Sequence, residues 1–265
     1  MFIASFNVKT SIQKVLFTLQ DFRDFARLHP AREVKRLALR ESVRYARKHM
    51  RNSVGVETAR EVLSLALKQV SMPAHYLEFG VYKGGTIRFI ASRVRPSQPV
   101  HGFDSFEGLN QAWSGDPSRF DAQGQLPKVP PNVTLYKGYF SDTLPGWVDN
   151  HAGPVGFLHI DCDLYESTKC VFEHLSDRIV PGTVIVFDEY FNYPNWQDQE
   201  YRAFQEFVAN YQVRYEYLAY ARFQVAVKIK EIGKLRHMTR EESALDALHS
   251  SVSAPLVDNC ARLRP

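Results

Sequence analysis

Four carboxylates follow two apolar runs. Asp161 and Asp163 close His159-Ile160-Asp161-Cys162-Asp163, and Asp188 and Glu189 follow Val184-Ile185-Val186-Phe187. Acids gathered at one crevice repel unless a cation or a proton is shared. An oxygen-only set of this kind suits Mg²⁺ or Ca²⁺ better than zinc. Residues two apart on a strand point the same way, so Asp161 and Asp163 are expected to converge where their strand ends. The competing reading is one helix-capping Asp among exposed acids. His159, on the same strand face, reads as a packed, hydrogen-bonded histidine and not as a ligand.

Two further clusters could hold an organic ligand. Glu78-Phe79-Gly80-Val81-Tyr82-Lys83-Gly84-Gly85-Thr86 is a glycine-rich turn between a strand and a helix. Its glycines permit close backbone approach, and the helix start offers unpaired N–H groups. The spacing is G-x-x-x-G-G and not the G-x-G-x-x-G that grips a pyrophosphate, which favours a ligand without phosphates. Taken alone, the turn fits simple turn geometry equally well. Gly102-Phe103-Asp104-Ser105-Phe106 places an acid where it could accept hydrogen bonds from both hydroxyls of a ribose. Asp104 or Ser105 would serve as well as a helix N-cap.

These residues need elements to position them. AHYLEFG, QPVHGFD, NVTLYKG, GFLHIDCD and GTVIVFDEY are short, mostly β-branched or aromatic runs separated by helix-like stretches. That alternation predicts a doubly wound, mostly parallel α/β sheet, whose ligands sit beyond the carboxyl ends of the strands. Residues 215–220 and 224–229 predict a closing antiparallel hairpin at the sheet edge. Val56, Ala59, Val62, Leu63, Ala66, Leu67 and Val70 follow helical spacing, so residues 1–71 read as a helical region ended by Pro73. The expected division is this N-terminal helical extension, a ligand-binding domain over 72–230, and a weakly periodic tail over 231–265. The segment 110–131, rich in Gly and Pro, and the aromatic YFNYPNW at 190–196 read as functional loops.

The 265 residues carry a formal charge of only +4, but residues 1–53 alone hold 12 Lys/Arg against 4 Asp/Glu. Arg32, Lys35, Arg36, Arg40, Arg44, Arg47, Lys48 and Arg51 form a basic stripe at helical spacing, a solvated face or a docking surface. No nucleic-acid motif accompanies it. No apolar run reaches the roughly 18 residues of a membrane span, and the N-terminus lacks the features of a secretory signal. Three cysteines without a C-x-x-C pair suggest neither a disulfide framework nor zinc, and a cytoplasmic setting is expected.

Five motifs in order, LEFGVYKGGT, HGFDSFEGL, GYFSDTLP, HIDCDLYEST and VIVFDEY, closely resemble the macrocin, mycinamicin and novobiocin type of sugar O-methyltransferases, which serve macrolide and aminocoumarin biosynthesis. The resemblance spans Leu77 to Tyr190. It implies a class I, Rossmann-like methyltransferase fold, S-adenosylmethionine (SAM) as methyl donor and a divalent metal, usually Mg²⁺. By position, Glu78, Gly80, Gly84 and Thr86 resemble the methionine-side loop, and Asp104 with Ser105 the ribose contact. Tyr139, Phe140 and Ser141 resemble the adenine-side segment. Asp161, Asp188 and Glu189 match the metal ligands, and Asp163 the general base beside catalytic Asp161. Glu189 stands where that family often has Asp, and Cys162 where it usually has Gly.

The chemistry agrees with that division. A sugar hydroxyl is a weak nucleophile, metal coordination lowers its pKa, and a neighbouring carboxylate can take the proton. The expected function is therefore a SAM-dependent, Mg-dependent O-methyltransferase acting on a sugar hydroxyl of a natural product or glycan, in a homo-oligomer. The alternatives are a catechol or phenol acceptor, stacked by Trp113, Phe120, Phe191, Tyr193 and Trp196, and a non-catalytic SAM-binding partner protein.

Overall fold

A computed structural model describes residues 29–108 and 120–233. Expectations resting on the first 28 residues, on Trp113 and its neighbours, and on the tail beyond 233 lie outside these.

The chain first forms helix α1 (Pro30–His49), with Pro at its opening position, where no intrahelical N–H partner is needed. Its basic residues Lys35, Arg36, Arg40, Arg44, Arg47 and Lys48 are all exposed, while Ala38 and Ser42 are buried. A two-residue strand β1 (Val54–Gly55) follows, then α2 (Ala59–Leu67). Residues 1–71 are thus not uniformly helical. The chain leaves the helix at Met50, and Asn52, Ser53 and Gly55 favour turns over helix continuation. Helix resumes only where Thr58 and Glu61 form a reciprocal capping box, with Thr58 Oγ1 accepting the Glu61 N–H at 3.3 Å.

Alternating strands and helices come next: β2 (His75–Phe79), α3 (Gly85–Ala91), β3 (Val100–Asp104), β4 (Val133–Lys137), α4 (Phe140–Asn150), β5 (Val155–Ile160), α5 (Tyr165–Leu175) and β6 (Ile179–Phe187). Helix α6 (Glu200–Asn210) leads into the hairpin β7 (Arg214–Tyr220) and β8 (Val225–Glu231). All lie in one eight-stranded sheet of order β1-β7-β8-β6-β5-β2-β3-β4. Strands β4, β3, β2, β5 and β6 are parallel neighbours, and β8 runs antiparallel to both β6 and β7. The hairpin does close this side of the sheet, but β8 is interior and β1 pairs parallel outside β7.

Burial explains the pattern. On β6, Ile185 and Phe187 enter one apolar cluster while Val184 and Val186 enter another, so the near-continuous apolar run is covered on both faces. Chain order reverses between β2 and β5: β2 leads outward to β3 and β4, and the chain then returns to β5 on its other side. This is the switch point at which such sheets bind ligands. The expected boundary at residue 71 falls between α2 and β2, yet β1 completes the sheet and α1 is tied to it. Tyr45 on α1 lies 2.6 Å from the Tyr217 hydroxyl and 3.4 Å from that of Tyr190, and Ser42 Oγ accepts the Asn192 N–H at 2.8 Å.

Candidate functional site

The turn after β2 is built around Gly80. Its φ is +90°, and a Cβ placed there would lie 1.7 Å from the Asp161 carbonyl oxygen. The two strand ends are stitched together at this point: Gly80 N–H donates to Phe103 O at 3.0 Å, and Asp161 N–H to Phe79 O at 2.8 Å. The first glycine is therefore required by the approach of Asp161, whatever ligand the turn holds. Gly84, at φ +73°, is the residue from which α3 starts, and Thr86 lies in the first turn of that helix.

Asp104, at the end of β3, fastens the same turn. Its Oδ2 accepts the N–H groups of Val81 (2.7 Å) and Tyr82 (2.6 Å), and its Oδ1 accepts that of Phe106 (2.7 Å). Three of the roughly four acceptor positions of a carboxylate are thus used by the backbone. Asp104 ties down the loop and caps no helix among the described residues, and it lines a cavity. Ser105 Oγ accepts the Glu107 N–H at 3.2 Å and donates to Gly108 O.

That cavity, about 550 Å³, opens at the carboxyl ends of β2, β3, β4 and β5. Gly80 and Thr86 lie on its wall, as do Asp104 and Ser105. Tyr139, Phe140 and Ser141, where β4 passes into α4, form another side, and Asp161, Cys162 and Asp163 close it from β5. Gly84, Glu78, Asp188 and Glu189 do not line it. Glu78 is fully buried behind the turn, with Oε1 2.9 Å from His159 Nδ1. His159 is thus packed and hydrogen-bonded, as its position on an apolar strand led us to expect.

The acids meet beside the cavity. One ligand atom each from His159, Asp161 and Asp188 lies within 4.8 Å of the others, the one such group among the described residues, and Glu189 is not part of it. Burial, then the charges of Asp188 and Asp163, push the Asp161 carboxyl well above the usual carboxylate range. Asp188 accepts a hydrogen bond from Gln224 Nε2 at 3.2 Å. Asp163 does not continue the strand, because β5 ends at Ile160. It has φ +60°, and Leu164 N–H reaches back to Cys162 O at 2.6 Å. This γ-turn arrangement is rare and strained, and strain of that kind concentrates at functional positions. The strand-alternation argument for its direction therefore lapses; the turn sets it.

One buried acid beside the cluster escaped sequence reading. Glu200, the first residue of α6, is fully buried; its Oε2 accepts the Glu189 N–H at 3.2 Å, while Oε1 has no hydrogen-bond partner. Burial, then the charges of Asp163 and Asp188, raise its carboxyl well above the ordinary range. A signal was present: Glu200, Ala203, Phe204 and Phe207 occupy successive positions of one apolar helical stripe. The aromatic loop behaves differently from expectation, since Phe191 and Trp196 are buried in the core and unavailable for stacking. Phe120, on the cavity wall with its ring 5.6 Å from that of Tyr82, and Tyr139 are the exposed rings there.

Residues 77–190 match the family described as methyltransferase domain. The chain is 29% identical to an 8-demethyl-8-(2,3-dimethoxy-alpha-L-rhamnosyl)-tetracenomycin-C 4'-O-methyltransferase of Streptomyces olivaceus over 45% of its own length, and spans about half (54%) of that relative. Among solved structures, the calicheamicin methyltransferase CalS11 superposes with a TM-score of 0.50 at 22% identity, covering 63% of this chain and 78% of that one. The O-methyltransferase NovP gives 0.50 and 22%, over 65% and 79%. At this identity the likeness is one of fold alone. Residues 77–190 are thus similar to methyltransferase domains, and the described residues have the Rossmann-like fold of these solved methyltransferases, with a cavity at the switch point.

Proposed function

We propose that the protein is a SAM-dependent O-methyltransferase whose acceptor is a sugar hydroxyl, working with a divalent cation. The observation that carries this reading is the continuity of the cavity: the glycine turn and Asp104 form one wall, and Asp161 and Asp163 the other. A donor and an acceptor bound there would share one water-poor space. The relative acting on a rhamnosyl tetracenomycin supports a sugar as the acceptor class.

In this reading the backbone around Gly80 and Thr86 faces the methionine portion of SAM, Asp104 and Ser105 the ribose, and Tyr139 to Ser141 the adenine. Glu78 supports the turn from behind. The half-buried, mutually repelling acids fit a cation, which Asp161 and Asp188 would hold. When bound, SAM supplies an electrophilic methyl carbon, and the cation a Lewis acid that makes a hydroxyl easier to deprotonate. Asp163, fixed by its turn on the cavity wall, accepts the hydroxyl proton. The catechol alternative is weakened by the burial of Phe191 and Trp196, which removes two of the five rings of the proposed sandwich.

The test has two stages. SAM or S-adenosylhomocysteine should raise the melting temperature; at 100 times Kd the stabilisation is about 2.7 kcal/mol. Methyl transfer from labelled SAM is then scored on rhamnosylated aglycones and on catechols. No thermal shift with either nucleoside, or transfer to catechols alone, overturns the corresponding part of the reading.

A further inference from the structure

The interior behind the acid cluster contains an unspent ligand atom. His159 and Glu78 are register partners on the adjacent strands β5 and β2, and His159 pairs on its other side with Val186 of β6. Two residues on from His159 and Val186, just past the ends of β5 and β6, come Asp161 and Asp188, whose carboxylates lie near the imidazole. His159 is 1% exposed, and its Nε2 has no hydrogen-bond partner. A buried imidazole nitrogen left unmatched costs on the order of 1–3 kcal/mol, so such an atom calls for an occupant.

Chemistry narrows the occupant. Nδ1 faces the Glu78 carboxylate at 2.9 Å, and a carboxylate accepts, so Nδ1 carries the proton there. Nε2 then holds the unused lone pair of a ring that offers a nitrogen within 4.8 Å of carboxylate oxygens of Asp161 and Asp188. Three electron-rich atoms facing one another within 4.8 Å are stable together only around positive charge. Nε2 makes no hydrogen bond to either acid, so the arrangement is not that of an imidazolium donating to a carboxylate. A histidine whose second nitrogen is held by a carboxylate is a recurring arrangement for metal ligation, in which the carboxylate fixes tautomer and ring direction and raises ligand basicity. Metal–ligand distances of about 2.0–2.2 Å place ligand atoms roughly 3–4 Å apart, so the observed spacing closes with a small contraction.

We propose that His159 Nε2 is a nitrogen ligand of the cation site, oriented by Glu78, so that the site is a mixed nitrogen–oxygen set built on His159, Asp161 and Asp188. Imidazole suits Mn²⁺, Fe²⁺, Co²⁺, Ni²⁺ and Zn²⁺ better than Mg²⁺. The site therefore selects a transition ion over Mg²⁺. This rests on the proposed cation site but not on SAM or on the acceptor.

The experiment loads the full chain with Mn²⁺ alone and records pulsed EPR, comparing unlabelled protein with protein carrying ¹⁵N-histidine. A ¹⁴N modulation that is replaced by ¹⁵N frequencies on histidine labelling, and lost in His159→Gln, is the expected result. The labelling needs no substitution, so it still decides the matter if His159→Gln fails to fold. Calorimetry should give Mn²⁺ at least about tenfold tighter than Mg²⁺, with Glu78→Gln weakening Mn²⁺ about 10–100-fold while the nitrogen signal persists. Bound Mn²⁺ that is lost in Asp161→Asn but shows no histidine nitrogen overturns the inference and leaves the oxygen site of the proposed function standing. Absence of any Mn²⁺ binding overturns both.

Discussion

Replacing Gly80 with Ala should damage the site through the backbone, and the structure sets the scale. The added Cβ would sit 1.7 Å from the Asp161 carbonyl oxygen and 2.7 Å from its carbon, at a φ of +90°. The conformation alone costs a non-glycine residue about 1–2 kcal/mol. The overlap adds roughly 1–3 kcal/mol, because the obstacle is backbone pinned by the Phe79 O bond and cannot swing aside. Gly80→Ala should therefore lose about 2–5 kcal/mol in urea denaturation. Gly84→Ala is the control: at φ +73° its nearest neighbour, at 2.9 Å, is the movable Arg88 guanidinium, so about 1–2 kcal/mol is expected. Because relief of the Gly80 clash pushes Asp161 away, Mn²⁺ affinity should fall in Gly80→Ala and hold in Gly84→Ala. Equal destabilisation by the two substitutions, or full Mn²⁺ affinity in Gly80→Ala, would refute the argument that this glycine exists for Asp161.

Other outcomes follow from the same geometry. Asp163→Asn should lower turnover by about 10²–10⁴-fold with Mn²⁺ and SAM affinities nearly unchanged, read by single-turnover methyl transfer and calorimetry; wild-type turnover removes Asp163 as the proton acceptor. His101 is buried beside His151 and His75, with the Tyr136 hydroxyl 3.2 Å from its Nδ1, and burial foremost pushes its pKa down to about 4. The folded state thus binds fewer protons than the unfolded one, so stability is full above about pH 6.5 and lost as pH falls toward 4, by about 2 kcal/mol after allowing for solvent screening. Melting curves of His101→Asn across that window should show a shallower decline. Ser42→Ala orphans the Asn192 N–H and should cost about 1–2 kcal/mol, measured by urea denaturation.

Much of the scaffold was legible because parallel strands buried on both faces leave unbroken apolar runs, as Val184 to Phe187 do, each ending in its functional residue. The cavity walls from Gly80, Asp104 and Asp161 followed from where those runs stop, and that from Tyr139 from the family resemblance. What stayed hidden depends on register between distant strands. The family resemblance puts Glu78 in the methionine-side loop; the pairing of β2 with β5 shows that it faces His159. Asp163 was placed by strand alternation, which its positive φ breaks. Glu200 was not singled out, since an acid at a helix start is a common surface feature, although the apolar stripe below it marked the position as buried. The interruption of the N-terminal helix turned on β1, two residues long and too short to leave a periodic trace.

The attachment of α1 bears on how the chain is made. Tyr45 and Ser42 are synthesised early, but their partners Tyr217 and Asn192 come 172 and 150 residues later, and β1 waits for β7 to supply its pairing edge. During synthesis at about 5–20 residues per second the exposed apolar side of α1 has nothing to cover it until nearly the whole sheet has emerged. The first described segment of the chain is therefore the last to be fastened.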